Sequence, residues 1–310
     1  MAKRIVVVGS LNVDFVLALD RFPAPGETVP GRDFNLFPGG KGANQAYGAA
    51  RLGGQVSMVG QVGHDTHATW LKQHLAAGGV DVAHVTADAT VTTGVAVIGV
   101  EAGGQNRIVV VPGANGTLGT SQLAALPSML APGDLLLLQL EVPLETVTAA
   151  ARLARAAGAT IILDPAPALP LGRELLACAD YVTPNETELA ALTGSPAKTL
   201  SREEAATQAA QLRALGAARV IVKLGAAGAL LLSAAGEHFW PALPVEAVDT
   251  TAAGDAFNAA FACALSTGQS EIEAGRFAVA AAACSVTRRG AQPSMPTRAE
   301  VDELLRQRGT

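Results

Sequence analysis

From Asp134 onward, short apolar runs alternate with longer amphipathic segments. Strands are expected over Leu135 to Leu140, Thr160 to Leu163 and Tyr181 to Thr183, and helices over Leu144 to Ala157 and Glu186 to Leu192. Strand and helix in strict succession make neighbouring strands run parallel, with the connecting helices laid over both faces of the sheet. The pattern also holds earlier in the chain. Ile5 to Val8 is a β-branched run ended by Gly9, followed by a helix over about Lys41 to Leu52, a strand over Val56 to Val62 and a helix over about Thr66 to Ala77. Val220 to Leu224 and Ala229 to Leu232 add strands, and helices over Ala253 to Leu265, Glu271 to Thr287 and Thr297 to Arg306 follow. The expected fold class is α/β, with a mostly parallel central sheet and helices on both faces.

Two segments break this rhythm. Phe15 to Leu19 and Thr28 to Phe37, punctuated by Pro23, Pro25 and Gly26, read as strands with no helix between them, as do Thr92 to Val100 and Asn106 to Val111 around Gly103-Gly104. They are expected to form a small antiparallel β-lid, inserted at about 12–38 and 92–112 of one domain spanning 1–310. No repeat, charge block or Pro-rich linker divides the chain.

Composition narrows the function. Apolar types make up 49% against 16% charged, enough for a sizeable core and too much for disorder. A net charge of -5, from 22 basic and 27 acidic residues, argues against a surface that coats nucleic acid, although a small anion needs only a local pocket. Cys178, Cys263 and Cys284 lie far apart without a C-x-x-C pair, so neither a disulfide framework nor a zinc site is expected. The apolar run after Lys3-Arg4 ends at Gly9, too short for a signal peptide, and no stretch reaches the roughly 18 apolar residues that cross a bilayer. A cytoplasmic protein with no membrane partner is expected.

Five glycine-rich or polar turns carry the chemistry. Asp249-Thr250-Thr251-Ala252-Ala253-Gly254-Asp255 runs into an apolar helix, whose free amides and positive dipole end suit a phosphate and a charged Asp255. Asp255 is either a proton acceptor or a helix cap, and the local pattern leaves both open. Gly39-Gly40-Lys41-Gly42-Ala43-Asn44-Gln45 opens another helix with polar side chains suited to hydroxyls, but lacks the P-loop and dinucleotide spacings. Asp14, in Gly9-Ser10-Leu11-Asn12-Val13-Asp14, stands past the first strand, where a carboxylate can clamp a diol or serve as an ordinary turn residue. Glu141 and Asn185-Glu186-Thr187-Glu188 likewise follow strands. Asn185 and Glu188 could organise a hydrated magnesium ion or cap a helix. Lys223-Leu224-Gly225-Ala226-Ala227-Gly228 is a strand-end turn able to lie over phosphates, or a plain hairpin. His64-x-x-His67 has no third ligand nearby and reads as structural.

Taken together, these motifs, with Val286-Thr287-Arg288-Arg289-Gly290-Ala291-Gln292-Pro293-Ser294, resemble the ribokinase group of the phosphofructokinase-B family of sugar and nucleoside kinases, over nearly the whole chain. The resemblance implies a Rossmann-like α/β fold, ATP-dependent phosphorylation of the 5-hydroxyl of D-ribose, and a homodimer formed through the β-lid. It implies Asp255 as catalytic base, with the amides of Ala252, Ala253 and Gly254 at the developing phosphate charge. Asn12, Asp14, Gly40, Lys41, Gly42, Ala43, Asn44 and Glu141 would meet the sugar. Asn185, Lys223, Leu224, Gly225, Ala226, Ala227, Gly228, Gly254 and Val279 would hold the nucleotide, with magnesium reached indirectly through Asn185 and Glu188. Asp249, Thr251, Ser285, Arg288, Gly290 and Ser294 would surround an activating monovalent cation such as potassium. Lys223 departs from the small hydroxyl residue common at its position, Gly104-Gln105-Asn106 from Gly-Glu-Asn, and Val279 from a polar residue. Another pentose, deoxyribose or a nucleoside as acceptor, or a non-catalytic sugar-binding regulator, are the alternatives.

Overall fold

The computed structural model describes residues 2–103 and 105–308. Its first part runs β1 (Arg4–Val8), β2 (Asn12–Leu19), β3 (Gly31–Gly39), α1 (Lys41–Arg51), β4 (Gln55–Gly63), α2 (Thr66–Ala77), β5 (Val80–Asp88), β6 (Gly94–Glu101) and β7 (Asn106–Val111). The middle holds α3 (Leu126–Met129), β8 (Leu135–Leu138), α4 (Leu144–Ala156), β9 (Thr160–Leu163), α5 (Arg173–Cys178), β10 (Tyr181–Val182), α6 (Glu186–Thr193) and α7 (Arg202–Ala214). β11 (Val220–Lys223), β12 (Gly228–Ser233), β13 (Gly236–Pro241), α8 (Ala253–Ser266), α9 (Glu271–Ser285) and α10 (Arg298–Gln307) complete it.

Nine strands form one sheet in the order β13-β12-β11-β10-β9-β8-β1-β4-β5. All neighbours from β11 to β5 are parallel, while β12 and β13 add an antiparallel edge. Successive side chains of a strand point to opposite faces, so β1 feeds two cores at once. Ile5 and Val7 join the layer of Phe261, Ala278 and Val301, whereas Val6 and Val8 join that of Ala150, Leu189 and Leu212. Helices α1 and α8 approach closely because small residues meet there: a Cβ on Gly48 would lie 3.0 Å from that of Ala259. Among the described residues, no helix is long and apolar enough to cross a membrane.

The second sheet has the order β3-β2-β6-β7. Its outer pairs are antiparallel, in line with the sequence, but the central pair β2 and β6 is parallel, from Asn12 opposite Gly94 to Leu19 opposite Glu101. The reason is topological. β2 leaves the large sheet after β1 and β6 leaves it after β5, and these two strands point the same way. Strand β2 begins at Asn12, so Asn12 and Asp14 lie in a strand rather than a turn. Gly104, expected at the β6–β7 hairpin, lies outside the described residues. Five elements lie outside the strands and helices expected from the sequence: β5, α3, α5, α7 and β13.

Candidate active site

Parallel strands deliver the loops after their carboxyl ends to one side of the sheet, where α/β folds keep their ligand crevices. Here the loops after β9, β10 and β11 meet the start of α8 around a cleft of about 760 Å³. Lys41, Asp164, Asn185, Glu188, Lys223, Gly225, Ala226, Gly228, Ala252, Ala253, Gly254, Asp255 and Val279 all line it.

Asp255 occupies the first turn of α8 and is 4% exposed. Its Oδ2 accepts from Asn44 Nδ2 at 2.9 Å and its Oδ1 from Gln45 Nε2 at 3.0 Å. Both bonds come from α1, so the carboxylate caps nothing in its own helix. The sequence reading has the helix start stabilising a charged Asp255, yet its pKa is raised. Burial is the main cause and Asp164 adds to it, against the opposing pull of Lys41, Asn44 and Gln45.

The turn before Asp255 is strained. Ala252 adopts φ 58°, the one non-glycine residue with positive φ among those described, a conformation that costs an L-residue about 1–2 kcal/mol. The Ala253 amide donates to Thr250 O at 3.3 Å, while those of Ala252 and Gly254 have no acceptor within the protein among the described residues. Two such amides at the positive end of a 14-residue helix leave an electropositive hollow suited to an anion. Lys223 borders it: a Cβ on Gly254 would stand 3.2 Å from Lys223 Nζ.

Beside Asp255, the turn into α1 gathers the polar residues expected at a sugar. Glu141 Oε2 accepts from Ser10 Oγ at 2.5 Å and from Lys41 N at 2.9 Å. Asp14 is pressed against Gly39, where a Cβ would sit 2.2 Å from Asp14 Oδ2, so only glycine fits. Gly40, at φ 88°, makes the turn that starts α1. Burial, followed by the charges of Glu141 and Asp255, pushes the Asp14 carboxyl up to about 7. Burial alone would lower the pKa of Lys41, but Asp255, Asp164, Glu141 and Glu188 outweigh it and hold the ammonium above its usual value. Gly42 and Ala43 turn inward. Ala43 is fully buried with its amide bonded to Ser10 O at 2.9 Å, and the Gly42 amide faces Ser10 Oγ at 3.3 Å.

Asn185 and Glu188 form a capping box on α6. Asn185 N and Nδ2 each donate to a Glu188 oxygen at 2.8 Å, and Glu188 N returns to Asn185 Oδ1 at 2.8 Å. Both still line the cleft, with the Glu188 pKa raised, chiefly by burial. Val279 joins Phe257, Ala282 and Ala283 in an apolar wall suited to a flat base. Leu224 is buried away from the cleft and Ala227 is exposed outside it.

The loop residues expected at a monovalent cation come together through Asp249, whose Oδ1 accepts from Thr251 N at 2.9 Å and Oδ2 from Gly290 N at 2.8 Å. Ser285 O accepts from Arg288 N at 3.2 Å, and Ser294 Oγ donates to Ala291 O at 2.7 Å. The Arg288 guanidinium pairs with Glu300 at 2.5 Å, which leaves its backbone carbonyl as the group that could face a cation. His67 packs edge-on against Phe15, ring centres 5.7 Å apart.

Ser10, Asn115, Gln139, Asp164 and Gln292 enter this network without having been singled out. Asp164 follows strand Thr160–Leu163 directly, the same strand-end position that pointed to Glu141 and Asn185.

The profile described as pfkB family carbohydrate kinase matches residues 2–298. The chain is 43% identical over 303 residues to the ribokinase of Bacillus subtilis and 41% identical over 306 residues to that of Haemophilus influenzae, in each case with 98% of this chain and 99% of the relative covered. The structure of Arabidopsis thaliana ribokinase complexed with ribose and ATP superposes with a TM-score of 0.90 at 37% identity, covering 98% of this chain and 99% of that one.

Proposed function

Since the chain belongs to the pfkB family of carbohydrate kinases, we propose that it transfers the terminal phosphoryl group of ATP to the 5-hydroxyl of D-ribose, giving D-ribose 5-phosphate and ADP. One observation carries this reading: Asp255, a buried carboxylate of raised pKa, follows directly on two unbonded amides at the start of α8. Asp255 accepts the hydroxyl proton as the oxygen attacks phosphorus, and a raised pKa makes it the stronger base. The amides of Ala252 and Gly254 stabilise the charge that spreads over the transferred group. Asp14 and Glu141 supply acceptors for sugar hydroxyls, and the Asn12 side-chain amide supplies a donor. Asn44 keeps Asp255 in position, and its second amide hydrogen, which has no acceptor among the described residues, is left for the sugar.

Asn185, Lys223 and the Gly225 to Gly228 turn hold the nucleotide, with its base against Val279. The residues present fit magnesium in an outer role. Both Glu188 oxygens are engaged by Asn185, so they suit its water shell, and the ion when bound supplies neutralisation of phosphate charge. The oxygen-rich loops around Asp249 and Ser285 suit a hard monovalent cation, which would order the backbone leading into the anion hole.

The whole chain acts as one unit in the cytoplasm, with the small sheet closing over the sugar. Phe34, Leu36, Val97, Val109 and Val111, 40% to 64% exposed, share one face of that sheet by register. So large an apolar face is best buried against a second copy, and we assign the homodimer to it.

A coupled assay of ADP release over pentoses, 2-deoxyribose and nucleosides tests the function. Ribose should give the highest kcat/KM. Preference for another acceptor would reassign the substrate, and ribose binding without ADP release would mark a regulator.

A further inference from the structure

Asp164 stands just past β9 with its side chain 2% exposed. Its oxygens are divided: Oδ1 accepts from Lys223 Nζ at 2.8 Å and Oδ2 from Gln45 Nε2 at 2.9 Å. The same Gln45 nitrogen gives its other hydrogen to Asp255 Oδ1 at 3.0 Å. Gln45 cannot flip without loss, because its Oε1 accepts from Gln139 Nε2 at 2.7 Å. Three hydrogen bonds therefore join an ammonium in the cleft wall to the proton acceptor.

The Lys223 side chain is 13% exposed, and its Nζ borders the anion hole beside Gly254. An ammonium has three donors and Asp164 takes one. The other two have no acceptor among the described residues. A lone lysine at a cleft wall samples many rotamers, whereas this one is tied to a buried carboxylate that is itself locked by an amide.

We infer that Lys223 is a fixed cationic ligand of the nucleotide's terminal phosphates, and that Asp164 is the positioning residue that holds its ammonium beside the anion hole. The inference deepens the kinase reading and rests on it. A buried ion pair can also be purely structural, and removing one partner then destabilises the fold by leaving a charge unpaired. The double variant Lys223→Met/Asp164→Asn separates the two roles, because it leaves neither charge behind.

The test uses the full chain. It measures KM for ATP and for ribose, calorimetric affinity for ATP and for AMP, and the melting temperature of wild type, K223M, D164N and the double variant. K223M should weaken ATP binding about 10- to 100-fold, the usual cost of a lost charge-assisted bond, while AMP affinity and the ribose KM stay unchanged. D164N should weaken ATP binding when Lys223 is present and have no effect when it is Met. The double variant should recover the wild-type melting temperature but not the ATP affinity. Wild-type ATP affinity in the double variant would overturn the inference and leave the pair structural, and an equal loss for AMP would overturn a phosphate role. A wild-type protein that releases no ADP with any sugar would sink the kinase reading itself, an outcome separable from the others.

Discussion

Asn115 holds Asn12 by its side chain: Asn115 Nδ2 donates to Asn12 Oδ1 at 2.7 Å and to Leu11 O at 3.0 Å, while its Oδ1 accepts from Leu11 N at 2.9 Å. Asn12 is thereby fixed with its oxygen engaged, so its amide hydrogens are the part left to meet a ligand hydroxyl. Asn115→Ala should raise the ribose KM about tenfold, leave the ATP KM unchanged, and lower stability by about 1–3 kcal/mol. Steady-state kinetics with each substrate varied in turn, and urea unfolding, measure both. An unchanged ribose KM would remove Asn12 from the sugar site.

Asp255→Asn should lower turnover by about 10²- to 10⁴-fold, the range for loss of a positioned proton acceptor. Ribose and ATP should still bind by calorimetry. Near wild-type turnover in the folded variant would show that Asp255 accepts no proton.

Asp14 gives a pH dependence with a definite sign. Its carboxyl titrates near 7 in the folded protein against 3.8 as a free side chain, so folding binds a proton between these values and the ionised form costs stability at higher pH. The stability present at low pH is lost as pH rises through about 7. Asp14→Asn should therefore stabilise the ligand-free protein by a few kcal/mol at pH 8 and by little at pH 4, as read by urea unfolding at each pH. The opposite holds for sugar affinity, which needs the carboxylate as acceptor and should fall below pH 7 in the wild type.

Potassium should raise kcat without being consumed, because Asp249 ties the two oxygen-rich loops together just before the anion hole. Rates in potassium buffer and in buffer with tetramethylammonium as sole monovalent cation give the comparison. Equal rates would leave those loops without a cation role.

Val109→Asp puts a charge on the most exposed large apolar side chain of the small sheet. In sedimentation velocity the wild type should run as a dimer and the variant as a monomer. A variant that sediments with the wild type would move the interface elsewhere.

Much of this was legible in the sequence because strand ends and helix starts are marked locally. The runs ending before Glu141 and Asn185, and the small residues before Asp255, mark Asn185 and Asp255, which line the cleft, and Glu141, which meets the turn into α1. Asp164 sits at an equivalent strand end, but nothing local reveals that its partners are Gln45 and Lys223, 119 and 59 residues away. Strand β5 escaped for a different reason: its pairing with β4 shifts register between Ser57 and Val59, which breaks the alternation a periodicity reading needs. Helix α7, by contrast, carried a visible signal in the Ser201–Glu204 capping box. The raised pKa of Asp255 could not be read locally either. The helix start argued for a depressed value, and burial among long-range neighbours reversed it.

Strand β2 belongs to two tasks at once. Its first residues include Asn12 and Asp14, which we assign to the sugar, and the same strand continues as a central member of the small sheet, parallel to β6. Recognition and cover are thus one piece of backbone. Any swing of the small sheet about its root carries Asp14 with it, so an acceptor that fails to engage Asp14 also fails to hold the cover down. Discrimination among sugars would then show in how long the cleft stays shut as well as in how tightly the ring is gripped, and a poor acceptor would leave the phosphoryl group open to water.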